Sequence, residues 1–246
     1  MIDTAYDKEA STTYDSIRFS SPSGKVIHEI ELSFLQDTLK FVNKEAKTLE
    51  VGCGTGRLFF EVLQSGYFSH GLDASFHMLG ECAEKIKNPF PDAGFVLAEA
   101  GRIPFKEKSF DLLYSIRVLN QTGSSDYALS VIAEMVRVAK PGGYVLVEFM
   151  NYYRKHPWGK RKYWGPKEMV FSEKMNVRLR PREVIAKAEE NGAKLIWFRG
   201  AFFLGMTGFY LTPVRLLKVI SSMDQFLSKM FPYMCSRCYI LLQKRG

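Results

Sequence analysis

Apolar and polar positions along this chain follow two rhythms that take turns. Over residues 24–43 the apolar positions Val26, Ile30, Phe34, Leu35, Leu39 and Val42 recur at helical spacing and predict an amphipathic helix. Residues 1–23, ahead of it, carry no regular period. A buried strand is predicted over 47–51, followed by a turn containing Gly52, Gly54 and Gly56 and a helix over 57–66. Further strands are predicted at 67–72, 94–98, 109–115 and 144–149. Helices are predicted at 75–86, capped by Ser75, and at 127–139. Pro89 and Pro91 break the chain after the first of these, and Lys140-Pro141-Gly142-Gly143 ends the second. The last elements are a helix at 182–191 and strands at 193–198 and 238–243.

Strands that alternate with helices imply a parallel sheet with right-handed crossovers, an α/β architecture. At 246 residues, one such domain with additions accounts for the chain. Two stretches fall outside the alternation. Residues 151–181 are long for a connection after a strand, which marks them as functional. Residues 200–233 separate the last two strands and hold Leu216, Val219, Ile220, Met223, Phe226, Leu227 and Met230 at helical spacing. That stripe reads first as core packing. Lining an apolar ligand pocket, or touching a membrane surface, are its other uses.

Charge changes the picture in one place. The net charge is +8, and the segment 151–182 alone holds ten basic residues against Glu168 and Glu173, which is the whole excess. Arg154, Lys155, Lys160, Arg161, Lys162, Lys167, Lys174, Arg178, Arg180 and Arg182 are interleaved with Tyr152, Tyr153, Trp158, Tyr163, Trp164 and Phe171. Such a mixture suits contact with RNA phosphates and bases, and equally a lid over a small ligand. Hydrophobic content of 46% is ordinary for a globular core. The start of the chain, through Asp7, is polar and acidic and offers no secretory signal. The most apolar run, 201–211, is too short to span a bilayer. Cys53, Cys82, Cys235 and Cys238 are scattered apart from one C-x-x-C, which lacks the second pair a zinc site needs. A reduced, cytoplasmic protein without a metal is expected.

Candidate chemistry concentrates at the glycine turn. Three glycines at alternate positions let the backbone bend sharply and approach a ligand closely. Glu50 stands two residues before the first of them. The dinucleotide fingerprint would need glycine where Arg57 stands, which argues against NAD. Four segments, in order, carry a resemblance: the Glu50–Gly56 turn; Gly71-Leu72-Asp73-Ala74-Ser75; Ala98-Glu99-Ala100-Gly101-Arg102-Ile103-Pro104-Phe105 with Ser109-Phe110-Asp111; and Arg137-Val138-Ala139-Lys140-Pro141-Gly142-Gly143. Together they resemble the class I S-adenosylmethionine-dependent methyltransferases, in the small-molecule subgroup that includes quinone-biosynthesis enzymes. The match covers residues 45–150, with a weaker fit to the last two strands.

That resemblance implies a Rossmann-like, seven-stranded, mostly parallel sheet in the order 3-2-1-4-5-7-6, its last strand antiparallel, with helices on both faces. It implies one domain over 1–246, residues 1–23 forming an arm over the cofactor and the insertions 151–181 and 200–233 forming a lid over the acceptor. The implied cofactor is S-adenosyl-L-methionine, with S-adenosyl-L-homocysteine as product. By the same resemblance Gly52, Cys53, Gly54 and Gly56 would line the methionine part, and Glu50 would face its cationic amino end. Asp73 would accept from both ribose hydroxyls, with helix capping as its alternative role. Ala74 and Met78 would flank the adenine, Glu99 would accept from its amino group, and Ala100 would offer a backbone N–H to the ring. The family more often has aspartate where Glu99 stands. Ser115 would bring its backbone near the methionine moiety, and Tyr14 would fold over the cofactor, with Tyr6 as its rival.

Methyl transfer of this kind is an in-line displacement on a small-molecule acceptor, and the protein mainly positions the partners. A base is needed only if the acceptor must lose a proton, and Leu119-Asn120-Gln121 offers none where relatives often carry histidine. His28, His70 and His77 read as structural, His156 as the better catalytic candidate, and no catalytic residue is assigned. Methylation of tRNA or another RNA through the basic insert is the main rival, followed by a protein acceptor and by a S-adenosylmethionine-binding regulator without turnover.

Overall fold

The computed structural model describes residues 6–154 and 176–246. Lys155, His156, Trp158, Lys160, Arg161, Lys162, Tyr163, Trp164, Lys167, Phe171 and Lys174, the greater part of the basic-aromatic insert, lie outside the described residues.

The sheet grows outward from β1 (Lys47–Val51), a strand buried from Thr48 onward and shielded from water on both faces. β2 (Phe68–Asp73) and β4 (Phe110–Ser115) flank it in parallel, setting Glu50 beside Gly71 on one side and Tyr114 on the other. β3 (Gly94–Leu97) extends one wing, and β5 (Ala139–Asn151) the other. β8 (Arg237–Lys244) inserts antiparallel between β5 and β7 (Ala193–Ala201). The resulting order, β3-β2-β1-β4-β5-β8-β7, is the expected 3-2-1-4-5-7-6 once β6 (Arg178–Leu179) is set aside. β6 is a two-residue strand on the end of β5, too short to leave a period in the sequence.

Strand alternation sorts the core into two layers. Leu49, Val51, Leu113, Val145 and Val147 pack with α5 (Ser125–Val138) and α6 (Pro181–Glu190). Leu112, Tyr114, Leu146, Tyr239 and Leu241 pack on the other face with α2 (Pro22–Leu39), α3 (Arg57–Gln64) and α7 (Met206–Leu211). α4 (Phe76–Lys87) lays Cys82 and Ile86 against Phe59 of α3. All four cysteines are buried and free, and burial pushes the Cys235 thiol up to about 11, so the C-x-x-C is inert packing.

Three expectations change. Residues 8–19, which lack an apolar period, form α1 (Lys8–Phe19). Only Ser11 of α1 is buried, so there was no stripe to read; polar contacts hold it instead. Asp7 caps it by accepting from the Ala10 N–H at 2.8 Å, and Asp15 accepts from Lys85 Nζ and from Thr55 Oγ1, each at 2.7 Å. The second change is the start of β5, which runs through Pro141-Gly142-Gly143 from Ala139; a register shift between Phe110 and Leu112 on β4 absorbs the irregular start. The third is α8 (Leu217–Met230). Its apolar stripe is not core: Leu216, Val219, Met223, Phe226 and Met230 are exposed, while Leu217, Ser221, Asp224 and Ser228 are buried.

The hinge between β1 and α3 depends on Gly56, which caps α3 at φ +81°. A Cβ there would stand 2.6 Å from Cys82 Sγ and 2.9 Å from Ile86 Cδ1. Gly56→Ala therefore combines a left-handed backbone with a clash and should cost about 2–4 kcal/mol of stability, read as a lowered denaturant midpoint. An unchanged midpoint would contradict this packing.

Candidate functional site

A cavity opens at the carboxyl edge of the sheet, where β1 and β4 send their following segments in different directions, the switch point at which α/β sheets bind ligands. Ten of the twelve residues singled out in the sequence line it: Tyr14, Glu50, Gly52, Cys53, Gly54, Asp73, Ala74, Met78, Glu99 and Ala100. Gly56 and Ser115 stand behind the wall. Gly56 is turned toward α4, and Ser115 Oγ donates to the Val51 carbonyl at 2.9 Å inside the sheet. Tyr6, Phe19, Arg57, Arg117, Gln121 and Tyr127 are among the other residues that line it.

The glycine turn is held from β2. Asp73 Oδ2 accepts from the Gly54 N–H at 2.7 Å, and Oδ1 accepts from the Ser75 N–H at 2.9 Å. Ser75 itself is the cap of α4, so Asp73 supports that helix start without capping it. Burial raises the Asp73 carboxyl above its ordinary range, and these backbone donors partly offset the rise. Gly54, at φ +53°, has nothing within 4 Å of where a Cβ would point, so the backbone itself faces the open cavity. Glu99 is aimed from α5: Tyr127 Oη donates to Glu99 Oε2 at 2.9 Å while accepting from the Gly101 N–H.

At the other end stands a buried ionic network. Glu31, on α2, receives Arg57 Nη2 and Arg117 Nε at 2.6 Å each. Burial opposes the Glu31 charge, but Arg117 and Arg57 outweigh it and hold the carboxyl below its usual range. Burial likewise opposes the charge on Arg117, and Glu31 more than restores it. Glu148 on β5 accepts from the Arg117 backbone N–H at 2.7 Å and from Arg237 Nη1 at 2.8 Å. The Phe19 ring lies under both arginines, 4.0 Å from Arg57 Cζ and 5.3 Å from Arg117 Cζ. Arg117 adopts φ +67° and keeps Nη2 buried without a hydrogen-bond partner among the described residues.

The start of the chain folds over this cavity. Tyr6 Oη donates to Gln121 Oε1 at 2.7 Å, and Gln121 Nε2 donates back to the Arg117 carbonyl at 2.7 Å. Tyr14 meets Tyr6 edge to face at 5.7 Å. Both tyrosines line the cavity, and Tyr6 makes the anchoring bond. The described histidines sit elsewhere. His28 contacts Arg57 from α2, His70 packs in β2 among Phe68, Phe105 and Phe110, and His77 is on α4; none lines the cavity, and His156 is outside the described residues.

Glu50 is the odd group. It is 3% exposed, and Oε2 has no hydrogen-bond partner among the described residues. Burial pushes its carboxyl up to about 8, with Arg57 offsetting only part of the rise. An unfolded glutamate titrates near pH ~4.3. Between those values the folded protein keeps a proton that the unfolded chain releases, so Glu50 makes stability fall as pH rises through this window. Glu50→Gln carries no such proton. Relative to the parent, it should gain stability from about pH 5 to about pH 8, measured by denaturant unfolding across that range. Parallel stability profiles would contradict the assignment.

Residues 49–147 match the family described as "Methyltransferase domain". The chain is 33% identical over 137 residues to the demethylmenaquinone methyltransferase of Lysinibacillus sphaericus, covering 53% of this chain and 56% of that protein. It is 32% identical over 99 residues to a tRNA (carboxymethyluridine(34)-5-O)-methyltransferase of Arabidopsis thaliana, covering 40% of this chain and 22% of that one. The chain thus spans about half, or less, of the length of these curated relatives. Among solved structures, magnesium protoporphyrin IX methyltransferase of Synechocystis, solved with bound SAH, superposes with a TM-score of 0.58 at 12% identity, covering 91% of this chain and 84% of that one. That likeness concerns the fold. The matched segment, residues 49–147, spans β1 to β5, contains the glycine turn, Asp73 and Glu99, and is a methyltransferase domain of the class I, S-adenosylmethionine-dependent kind.

Proposed function

We propose that this chain binds S-adenosylmethionine in the cavity and methylates a small-molecule acceptor. The observation that carries the reading is Glu50: a buried carboxylate oxygen without a partner, on the wall of a cavity beside an open glycine backbone, fits a cationic ligand group. Along the same cavity Asp73 and Glu99 would supply acceptors for ribose hydroxyls and for the adenine amino group, and Ala74 and Met78 would hold the ring. Arg117 Nη2, also unpartnered, suits the carboxylate of the methionine part. When bound there, the cofactor supplies a methyl group activated by positive sulfur. The residues around it bind, orient and exclude water: Tyr6 and Tyr14 cover the cavity, and the arm they belong to is tied down through Gln121 and Lys85.

In this reading residues 6–23 belong to the cofactor-covering arm and 200–233 border the acceptor, while most of 151–181 lies outside the described residues. With none of the described histidines on the cavity wall, an acceptor that arrives already ionised needs positioning and no base. Arg154, Arg178 and Arg180 of the basic insert favour a small acceptor over RNA, because internal partners engage them. Arg154 donates to the Phe203 carbonyl at 2.7 Å, Arg178 to the Arg154 carbonyl at 2.9 Å, and Arg180 pairs with Glu183 and stacks on Tyr152. Likeness to the tRNA enzyme covers 40% of this chain and 22% of that protein, less of both than the likeness to the demethylmenaquinone enzyme, so it does not favour RNA.

Methyl-labelled S-adenosylmethionine offered with a metabolite extract and with total RNA tests the acceptor class. Label should pass to the small-molecule fraction; label in RNA alone would overturn the reading. Asp73→Ala should weaken S-adenosylmethionine binding at least about tenfold, since charge-assisted bonds are worth roughly 1.5–3 kcal/mol each. Calorimetry with parent-like affinity in that variant would confine Asp73 to its turn-holding role.

A further inference from the structure

α8 carries its polarity inside out. Its buried side is Leu217, Ser221, Asp224 and Ser228. Asp224 is engaged there, accepting from the Leu204 N–H at 2.7 Å and from Ser228 Oγ at 3.4 Å. Its outer side is apolar: Val219 is 65% exposed, Phe226 63% and Met230 59%, with Leu216 and Met223 beside them. The surface continues into Val214 ahead of the helix and Met234 behind it. A helix that met only water on that side would carry the opposite arrangement, and contiguous exposed apolar surface of this kind marks an interaction site.

Charge says what covers it. The ionised residues on the exposed side of this segment are Arg215, Lys218 and Lys229, all cationic, while its one acid, Asp224, faces inward. Apolar side chains flanked by cations fit the interface of an anionic bilayer, where the side chains enter the acyl boundary and the lysines meet phosphates. A second copy fits less well, because a two-fold contact through this patch would set cations against cations. The position is also apt. The insertion leaves from the carboxyl end of β7 at Ala201, and β7 runs in the same direction as β1 and β4, so the patch and the cavity share one edge of the sheet.

We propose that α8 and its flanking turns dock this protein on the surface of an anionic lipid bilayer, with the helix lying in the interface plane. Among the described residues no helix is long and apolar enough to cross a membrane, so the attachment is to one face. Co-sedimentation of the full chain with phosphatidylcholine vesicles, with and without about one third phosphatidylglycerol, tests this. Val219→Ser/Phe226→Ser keeps every charge, and Lys218→Ala/Lys229→Ala keeps the apolar face. Both alter only exposed side chains, and circular dichroism checks that the fold persists. The parent should bind the anionic vesicles, and each double variant should bind at least about tenfold more weakly. Failure of the parent to bind would overturn the proposal. Undiminished binding by Val219→Ser/Phe226→Ser would overturn it too, since net charge elsewhere would then explain the attachment. So would a parent dimer, without vesicle binding, that the same variant splits into monomers.

Discussion

Glu31 is a carboxylate taken out of water, and two arginines from distant parts of the chain make its burial tolerable. Arg57 is the first residue of α3, directly after the glycine turn, and Arg117 follows β4. A buried carboxylate whose partner is removed costs about 3–5 kcal/mol, so the three groups need one another. Glu148 extends the arrangement across β5 to Arg237 at the start of β8. The network therefore ties α2, the turn, the β4 end and the far wing of the sheet into one unit. The back wall of the cavity is fixed before any ligand arrives, which removes an ordering cost from binding.

Against that fixed cationic wall, the unsatisfied groups stand out. Glu50 Oε2 and Arg117 Nη2 are both buried and both lack a partner among the described residues, the one an acid able to ionise and the other a cation. A ligand end that is itself zwitterionic fits this pair, as an amino acid moiety is. Asp73 has a double duty. It holds the Gly54 and Ser75 backbones in place and presents the same carboxylate to the cavity.

Much of this was legible in the sequence because it is local. A strand ending in acid-x-G-x-G-x-G, an acid ending the next strand and Glu99 after the third are linear signals, and Glu50, Gly52, Gly54, Asp73 and Glu99 share one cavity. Arg117, Gln121, Tyr127 and Phe19 escaped because their roles come from long-range contacts that leave no spacing behind. Two signals were present and readable. Glu31 lies between Ile27 and Leu35 at four-residue intervals, an acid inside an apolar helix face. Glu148 interrupts the apolar run Val145-Leu146-Val147-Phe149, and a buried acid in such a run demands a partner. α1 was illegible because polar contacts hold it, and the α8 stripe gave the helix correctly but not the side it turns to the protein.

The central claim is that Glu50 waits, protonated and unpaired, for a cationic ligand group. Titration of the protein with S-adenosylhomocysteine at about pH 7, in two buffers of different ionisation enthalpy, measures the protons exchanged on binding. With its carboxyl pushed up to about 8 in the free protein, Glu50 should ionise as the ligand's ammonium arrives, releasing close to one proton per ligand bound. In Glu50→Gln that release should vanish. Binding of the same heat in both buffers, with no proton leaving, would contradict the account.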